Sequence, residues 1–183
     1  MEFKVDHGSS SKTRPIFEWG FDPMCFSHVK LLAFDLLCIE QVPHLPEFYV
    51  RKGRPVQKVE IMGVVVSMDQ RTQFLHFGLD DGTGCIPCIL WMNDFRWGKR
   101  GTGDAISRRA MIEAYATHVK LGRLLRVQGK VSTYKEKLQL TVLSVQEEMD
   151  ANAETLHWLD CVRLAVKCYN LPPPLPPSHP AKK

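Results

Sequence analysis

Three apolar runs in the middle of the chain, at 59–68, 73–79 and 85–91, are separated by two polar turns. In the second and third runs the apolar residues alternate with a period of two, and β-branched and aromatic side chains are frequent, which is typical of strands. The second turn, DDGTG, combines Asp residues, which fold back on their own backbone, with glycines, which supply positive φ. The pattern predicts a three-stranded antiparallel meander.

Two residues indicate how this meander closes. Gly63, inside the first run, suggests a sharp bend, and a bent strand can pair in two sheets at once. Pro87, in the third run, cannot donate a hydrogen bond to a neighbouring strand, so that strand should have a free edge there. Together they predict a five-stranded, partly open barrel, the shape of the oligonucleotide/oligosaccharide-binding (OB) fold.

Segments further along the chain supply the rest of such a barrel. Alternating apolar residues predict a fourth strand at 124–134 and a fifth at 138–145, joined by a short hairpin turn. Before them, a loop is predicted at 93–103 and a helix over 104–120, capped by Asp104. An OB-fold places its own helix at this point, between the third and fourth strands. The apolar positions of the predicted helix are Ile106, Ala110, Ala114, Tyr115 and Val119.

Helices are also predicted on both sides of the barrel. Asp22 followed by Pro23 is typical of a helix start, and apolar residues at helical spacing predict a helix over 24–39 lying against the barrel. A last helix is predicted over 153–169, with Asn152 as its cap. The expected fold is therefore mainly β, a five-stranded OB-fold barrel with N-terminal, inter-strand and C-terminal helices.

The domain organisation follows from composition. We expect a disordered leader at 1–18, a single OB-fold domain with its flanking helices at 19–170, and an extended proline-rich tail at 171–183. The 183 residues, 44% of them hydrophobic, suit one domain with a sizeable core, and the net charge of +4 permits an anionic partner without requiring one. No apolar run is long enough to span a membrane, and the N-terminus lacks a signal-peptide pattern. The six cysteines are interpreted as reduced thiols of a cytosolic or nuclear protein.

The ligand-binding face of an OB-fold includes its second and third strands and the loops at their ends. Trp91 alternates with the inward residues of the third strand, so it should point outward, where a base can stack on it; it could instead pack under the loop at 93–103. The hairpin between strands four and five carries an aromatic ring beside two ammonium groups, which suits a base and its phosphates, although many charged hairpins are simply solvated. The hairpin candidates are Tyr134, Lys135 and Lys137, and further basic candidates are Arg71, Arg126 and Lys130.

The last predicted helix is apolar nearly all round, so it must be buried on two sides. One side can pack on its own barrel. The other needs either the N-terminal helix or a partner, and the sequence does not say which face does which. The main apolar face contains Trp158, Leu159, Val162, Val166 and Tyr169; the second contains Cys161, Leu164 and Cys168.

Two further motifs invite a catalytic or metal reading. Cys85 and Cys88 form a CxxC, but residues three apart in a strand point to opposite faces, and metal sites need converging sulfurs. His157 and Cys161 could in principle add ligands. The second motif is the pair of adjacent acids in the DDGTG turn. These acids are explained by turn formation rather than by a catalytic or metal site. We therefore expect no catalytic residue, no metal and no cofactor.

Three segments, DDGTGCIPCILW at 80–91, RVQGKVSTYKEKLQL at 126–140 and NAETLHWLDC at 152–161, together resemble the Stn-type subunit of the CST complex, which caps telomeres. The resemblance extends over about 19–169. The DDGTG turn alone is similar to that of the middle subunit of replication protein A. The HWLDC ending and the short length look most like the plant form. Many relatives outside plants add two winged-helix domains, which this chain, ending at Lys183, is expected to lack.

The resemblance implies a subunit without enzymatic activity that works in the nucleus, at telomeres. Its partners would be single-stranded G-rich telomeric DNA, a large and a small OB-fold subunit, and DNA polymerase α–primase, which fills in the complementary strand. It also implies DNA contacts for Trp91 and Tyr134, and a partner helix against the last helix. Some relatives carry an Arg where this chain has Ser132, so one phosphate contact is expected to be missing.

Three alternatives remain open. A general single-strand binding subunit, like the middle subunit of replication protein A, would show no preference for G-rich repeats. A protein-only adaptor would be favoured by a buried Trp91. A thiol or zinc enzyme built on Cys85 and Cys88 would require both side chains to converge.

Overall fold

The computed structural model describes residues 16–43, 45–92 and 102–172. Its strands are β1 His28–Lys30, β2 Glu40–Val42, β3 Leu45–Arg51, β4 Arg54–Val56, β5 Lys58–Gln70, β6 Phe74–Asp80, β7 Cys85–Trp91, β8 Leu124–Tyr134 and β9 Lys137–Glu147. Its α-helices are α1 Ala33–Leu37, α2 Thr102–His118 and α3 Asn152–Leu164. Short 3-10 turns at Ile16–Phe21 and Pro23–Cys25 precede β1, and a π-helical turn, Ala165–Tyr169, extends α3.

Five strands close into a barrel in the order β5–β6–β7–β9–β8. The closure depends on β5, which pairs with β8 through residues 58–64 and with β6 through residues 64–70. β7 and β9 are parallel and pair only at Cys88 and Ile89, next to Pro87, so the barrel is open beside the proline. The predicted OB-fold, with one strand shared between two neighbours, is confirmed.

Gly63 lies beside the residue at which β5 changes partner. A Cβ atom on Gly63 would come within 2.5 Å of the carbonyl oxygen of Asp80, so only glycine lets the two backbones approach this closely. A bulge between Val65 and Ser67 follows directly and turns the strand further.

The barrel interior is filled by the faces that alternation predicted. The side chains on these faces are buried. They are Leu75, Phe77 and Leu79 from β6, Ile86, Cys88 and Leu90 from β7, Leu125, Val127 and Val131 from β8, and Leu140, Val142 and Val145 from β9. On β9 the inward positions change phase at a bulge opposite Gln128 and Gly129, which is why Val145 follows Val142 inward.

The predicted inner face of the helix was partly wrong: Val119 is buried and Tyr115 packs against the core, as expected, but the other positions differ. Ile106, Ala110 and Ala114 are exposed, whereas Ile112 and Val119, seven residues apart, are buried. Two alanines bury little apolar area, so they do not fix the rotation of the helix; the two larger residues do.

The predicted helix over 24–39 is wrong for most of its length, since α1, Ala33–Leu37, is the one α-helix in this range. Asp22 does accept a hydrogen bond from the Met24 backbone N–H (2.9 Å), but the helix it caps is a single 3-10 turn. The chain then forms β1, which pairs in parallel with β5 at residues 58–60. Because β6 begins to pair with β5 only at Val64, the N-terminal part of β5 leaves an edge that β1 covers.

A second, three-stranded sheet, β2–β3–β4, was not predicted. The basic turn at 51–55 is its hairpin, with positive φ at Lys52 and Gly53. The guanidinium of Arg54, buried in this hairpin, donates to both carboxylate oxygens of Asp22 (2.6 and 2.8 Å) and to the carbonyl of Cys168 (2.7 Å). One side chain thus ties the start of the domain to its end.

Several predicted segments fall wholly or largely outside the described residues. The leader at 1–18 is described only at 16–18, within a 3-10 turn, and the loop at 93–103 only at its last two residues, which belong to α2. The tail at 171–183 is described only at its first two residues. Among the described residues, no helix is long and apolar enough to cross a membrane.

Replacing Gly63 with alanine should lower the free energy of unfolding by about 1–3 kcal/mol, because the new methyl group collides with the backbone of Asp80. Gly20→Ala is the matched control, since a Cβ there meets nothing within 4 Å. Urea unfolding followed by circular dichroism measures both. If the two variants are equally stable, the close approach of the Asp80 backbone does not restrict the residue at position 63 to glycine.

Candidate nucleic-acid interface

Trp91 stands at the end of β7, on its outer face. It is half-buried and packs edge-on against Phe74 of β6, with ring centroids 5.7 Å apart and planes at 67°. The two residues are opposite each other in the antiparallel pair, so the register of the strands fixes this contact. The pair offers an aromatic surface on the barrel face where a base can stack.

Arg71 lies at the same end of the sheet as Trp91. Its backbone N–H donates to the carbonyl of Phe74 (2.9 Å), which fixes the β5–β6 loop beside the aromatic pair. The guanidinium forms an ion pair with Asp69 at 3.1 Å, and both side chains are exposed. An exposed pair of this kind contributes little, so a phosphate can compete for Arg71.

The β8–β9 hairpin presents the second aromatic residue. Tyr134 is 60% exposed, and the ammonium of Lys135 lies 5.4 Å from the centre of its ring. Lys135 and Glu136 both have positive φ, as a two-residue hairpin requires, and Lys137 pairs with Tyr134 across the turn. Ring and ammonium groups are therefore exposed together, in an arrangement suited to a base and its phosphates.

The two aromatic sites lie at opposite ends of the β7–β9 strip. Cys88 pairs with Leu140; Trp91 lies three residues beyond Cys88, and Lys137 lies three residues before Leu140. At about 3.3 Å per residue, the two sites are about 20 Å apart along the strands. They can bracket a strand that crosses the barrel, but they cannot contact the same base.

Arg126, predicted as a DNA contact, is placed differently. Its guanidinium donates to Glu60 (2.9 Å) and to Glu148 (2.7 Å), and its side chain is largely buried. Burial alone would raise the pKa of Glu60, but hydrogen bonds from Gln128 and Arg126 outweigh burial and hold the pKa below its usual value. Two carboxylates thus hold Arg126, so a phosphate would have to displace them, and the DNA contact of this residue stays a prediction.

Lys130 is a weaker candidate than the hairpin lysines. Its ammonium pairs with Glu47 of β3 at 3.2 Å, and the glutamate is well exposed. Such a pair breaks easily, so Lys130 stays a possible phosphate contact at the edge of the groove.

The last helix has one buried and one exposed face. His157 and Cys161 are buried against the barrel, and burial raises the pKa of the Cys161 thiol to about 12. The opposite face is exposed and apolar, and we call it the α3 outer face. It consists of Leu156, Leu159, Val162 and Val166, with Trp158 half-exposed at its border.

Two predicted interface residues do not belong to the α3 outer face. Leu164 packs against the core, and Tyr169 is buried, with its hydroxyl accepting a hydrogen bond from the Lys30 backbone N–H (3.2 Å). The π-helical turn explains Tyr169, because its wider winding breaks the progression of 100° per residue from which the faces were predicted. The cap of the last helix also differs from the prediction. The carboxylate of Asp150, and not the side chain of Asn152, accepts a hydrogen bond at the helix start, from the backbone N–H of Asn152 (2.9 Å).

The two catalytic or metal motifs have structural roles. Cys85 is exposed and Cys88 is buried inside the barrel, so the two thiols point to opposite faces as predicted. In the DDGTG turn, Asp81 is buried and accepts hydrogen bonds from the backbone N–H groups of Thr83 (2.9 Å) and Ala33 (2.7 Å). The carboxylate thereby caps α1 and binds it to the turn. Among the described residues, no three His, Cys, Asp or Glu side chains are grouped to hold a metal.

Sequence reasoning missed two residues of these surfaces. Phe74 could have been paired with Trp91 by counting back from the DDGTG turn along an antiparallel register. Leu156 precedes Leu159 by three residues, so helical spacing places both on one face.

The residues at 59–148 match a family described as OB-fold nucleic acid binding domain. The chain is 36% identical over 149 residues to the CST complex subunit STN1 of Arabidopsis thaliana, a match that covers 79% of this chain and 93% of that protein. The chain belongs to the STN1 family of CST complex subunits. It spans about half the length of vertebrate relatives of the same name, for example 49% of the Danio rerio protein.

Two solved structures have the same fold. The S. pombe Stn1–Ten1 complex aligns with a TM-score of 0.64 at 19% identity, covering 79% of this chain and 95% of that one. A replication protein A heterotrimer bound to single-stranded DNA aligns with a TM-score of 0.61 at 17% identity, covering 77% and 97%. At these identities the likeness establishes the OB-fold architecture.

Tyr134→Ala should weaken binding of a G-rich single strand by about 1–3 kcal/mol with little change in thermal stability, because the ring is 60% exposed. Phe26→Ala is the control, because Phe26 is similarly exposed (66%) but lies in the turn before β1. Fluorescence anisotropy measures both affinities. If the two variants bind equally well, the hairpin does not contact DNA.

Proposed function

We propose that the chain is a non-catalytic subunit of a CST complex, which binds single-stranded G-rich telomeric DNA and acts in telomere end protection and C-strand fill-in. The observation that carries the proposal is the match to the Arabidopsis STN1 subunit over most of both chains. The proposed location is the nucleus, at telomeres.

DNA binding is proposed to use the outer face of the barrel between its two aromatic sites. Trp91 and Phe74 at one end and Tyr134 at the other would stack bases, while Lys135 and Lys137 would contact phosphates. Since Arg126 is held by two carboxylates, few cations remain for the phosphates, which supports weak binding by this chain alone. A large DNA-binding subunit would then supply most of the affinity.

Pairing with a small OB-fold subunit is proposed to use the α3 outer face. Four large apolar side chains there are exposed on one helix, which is unusual for a free surface. The S. pombe structure with the same fold is an Stn1–Ten1 complex, which supports an interaction of the same kind. DNA polymerase α–primase is a further proposed partner, from the role of the family.

The alternatives are less well supported. A general single-strand binding subunit shares the fold, but the replication protein A structure is only 17% identical to this chain, and the relatives with higher identity are STN1 subunits. A protein-only adaptor does not account for an exposed tyrosine beside two lysines on an OB-fold face.

Leu159→Asp should weaken pairing with the small OB-fold subunit of the same organism by about 2 kcal/mol or more, because a charge replaces an apolar contact at the centre of the interface. Leu121→Asp is the control: Leu121 and Leu159 are both 62% exposed, but Leu121 lies in the turn before β8. Co-expression followed by affinity purification measures pairing. Recovery of equal amounts of partner with both variants would contradict the role of this face.

In its own organism, the tagged chain should be enriched on telomeric repeats by chromatin immunoprecipitation, and the Leu159→Asp variant should lose most of this enrichment because it cannot join the complex. A non-telomeric tandem repeat is the control sequence. Equal enrichment on both repeats would favour a general single-strand binding role.

A further inference from the structure

Three neighbouring strands carry a row of basic side chains on the outer face of the sheet. His28 of β1 lies opposite Lys58 of β5, and Lys58 lies opposite Lys130 of β8. The residues that follow them along the strands are buried in the core, and are Val29, Val59 and Val131. Side chains alternate along a strand and neighbouring strands are about 4.8 Å apart, so the three basic residues form a continuous outward row. We call them the basic row.

The basic row carries little compensating negative charge. Among the described residues, Lys58 has no carboxylate partner, and Lys130 pairs with Glu47 at 3.2 Å. The side chain of Glu47 is 75% exposed, so a phosphate can displace it. Burial and the charge of Lys58 hold the pKa of His28 below its usual value, which keeps the imidazole neutral at pH 7. The free protein therefore presents two lysines side by side.

The next outward row of the same strands shows how such charges are balanced elsewhere. Lys30 of β1, Glu60 of β5 and Gln128 of β8 lie opposite one another. Glu60 accepts a hydrogen bond from Gln128 at 2.7 Å and lies 3.8 Å from Lys30. Like charges directly opposite each other destabilise a sheet, so the pair of Lys58 and Lys130 lowers the stability of the free protein. A bound anion would remove this repulsion.

We propose that the basic row binds phosphates of the single strand beyond Tyr134 and thereby extends the DNA path from the hairpin onto the back of the barrel. The proposal rests on the DNA-binding function proposed above and adds a second contact region to it. The outer positions of β8 lead from Tyr134 through Ser132 to Lys130, and each is at least partly exposed. Four strand residues span about 13 Å, so a strand bound at the hairpin reaches Lys130 within a few nucleotides.

The chemistry of the basic row suits a sugar–phosphate backbone. Lysine ammonium groups act as point charges, which tolerate the varying geometry of a flexible backbone. Lys130 and Lys58 follow one another across the sheet, so successive phosphates of one extended strand can meet them in turn. Since phosphate contacts carry no sequence information, this region adds affinity without adding base preference.

Strand length separates this region from the aromatic sites. The full-length chain is titrated by fluorescence anisotropy with G-rich single strands of about 6 and about 18 nucleotides, the second of which exceeds the site of one OB-fold. Lys58→Gln should weaken binding of the long strand about fivefold at roughly 0.1 M salt. It should also lower the slope of log affinity against log salt by about 0.7, the value for one phosphate on a single strand. Binding of the short strand should not change.

Two variants give results that a general loss of structure would not give. Glu47→Gln frees Lys130 from its ion pair, so the long strand should bind about twofold more tightly. Lys58→Gln should raise Tm by about 1–2 °C while it weakens DNA binding, because it removes a like-charge pair from the sheet.

Matched substitutions control for charge. Lys120→Gln removes the same charge, but Lys120 is exposed and begins the turn before β8, about 20 Å from Lys130 along that strand. It should leave the affinity for both strands unchanged. Lys58→Arg keeps the charge and should bind both strands like the wild-type chain.

The outcomes distinguish this inference from the function on which it rests. If the wild-type chain binds neither strand, the proposed DNA-binding function fails, and this inference fails with it. If both strands bind but Lys58→Gln and Glu47→Gln leave the long-strand affinity unchanged, the inference alone is overturned. An equal loss on both strand lengths, or the same loss in Lys120→Gln, would reflect overall charge and would also overturn it.

A protein ligand for the basic row is tested with the same variants. Unchanged DNA affinity in Lys58→Gln, together with poorer recovery of the large subunit of the same organism on co-purification, would assign the row to an acidic protein surface. That result would overturn the inference while leaving the proposed DNA-binding function intact.

Discussion

The architecture depends on one strand having two neighbours. β5 pairs with β8 along its first half and with β6 along its second, and the exchange takes place at Val64, beside a glycine that nearly touches the backbone of Asp80. Without this exchange the sheet would remain open. The DDGTG turn at Asp80 fixes the register of β6 and β7, and the register in turn places Trp91 opposite Phe74. The position of the aromatic surface is thus a consequence of backbone geometry several residues away.

A chain of ion pairs connects α3 to the barrel, beside the packing of Cys161 and Leu164. Asp160 of the helix pairs with Lys30 at 2.7 Å, Lys30 lies 3.8 Å from Glu60, and Glu60 accepts from Arg126, which also pairs with Glu148. Charges of alternating sign thus run from the helix across β1 and β5 to β8 and the residue after β9. Ala153, His157 and Cys161 form the buried side of α3, and the leucines and valines of its other side are left at the surface.

Alternation at period two was enough to predict the barrel, because its strands are long and have one buried face each. The N-terminal region could not be predicted in the same way. β1, β2 and β4 have three residues each, too few for a period to be recognised. The pairing of β1 depends on an edge of β5 that becomes visible only in three dimensions, and β2 and β4 pair with β3 in a separate sheet. Tyr134 and its lysines were recognisable because a hairpin exposes its side chains. The ion pairs of Arg126 could not be predicted, because its carboxylate partners, Glu60 and Glu148, are distant in sequence or lie on another element.

The Arg54 contact has a consequence for the order in which the chain can fold. Asp22 and Arg54 are synthesised early, so their ion pair can form on a nascent chain. The third acceptor, the carbonyl of Cys168, emerges from the ribosome more than a hundred residues later. A chain that lacks the segment around Cys168 therefore holds a guanidinium with part of its hydrogen-bonding capacity unused, and the turn Ala165–Tyr169 completes it. The hairpin of β3 and β4 is thus coupled to the end of the last helix, and the two are expected to fold together.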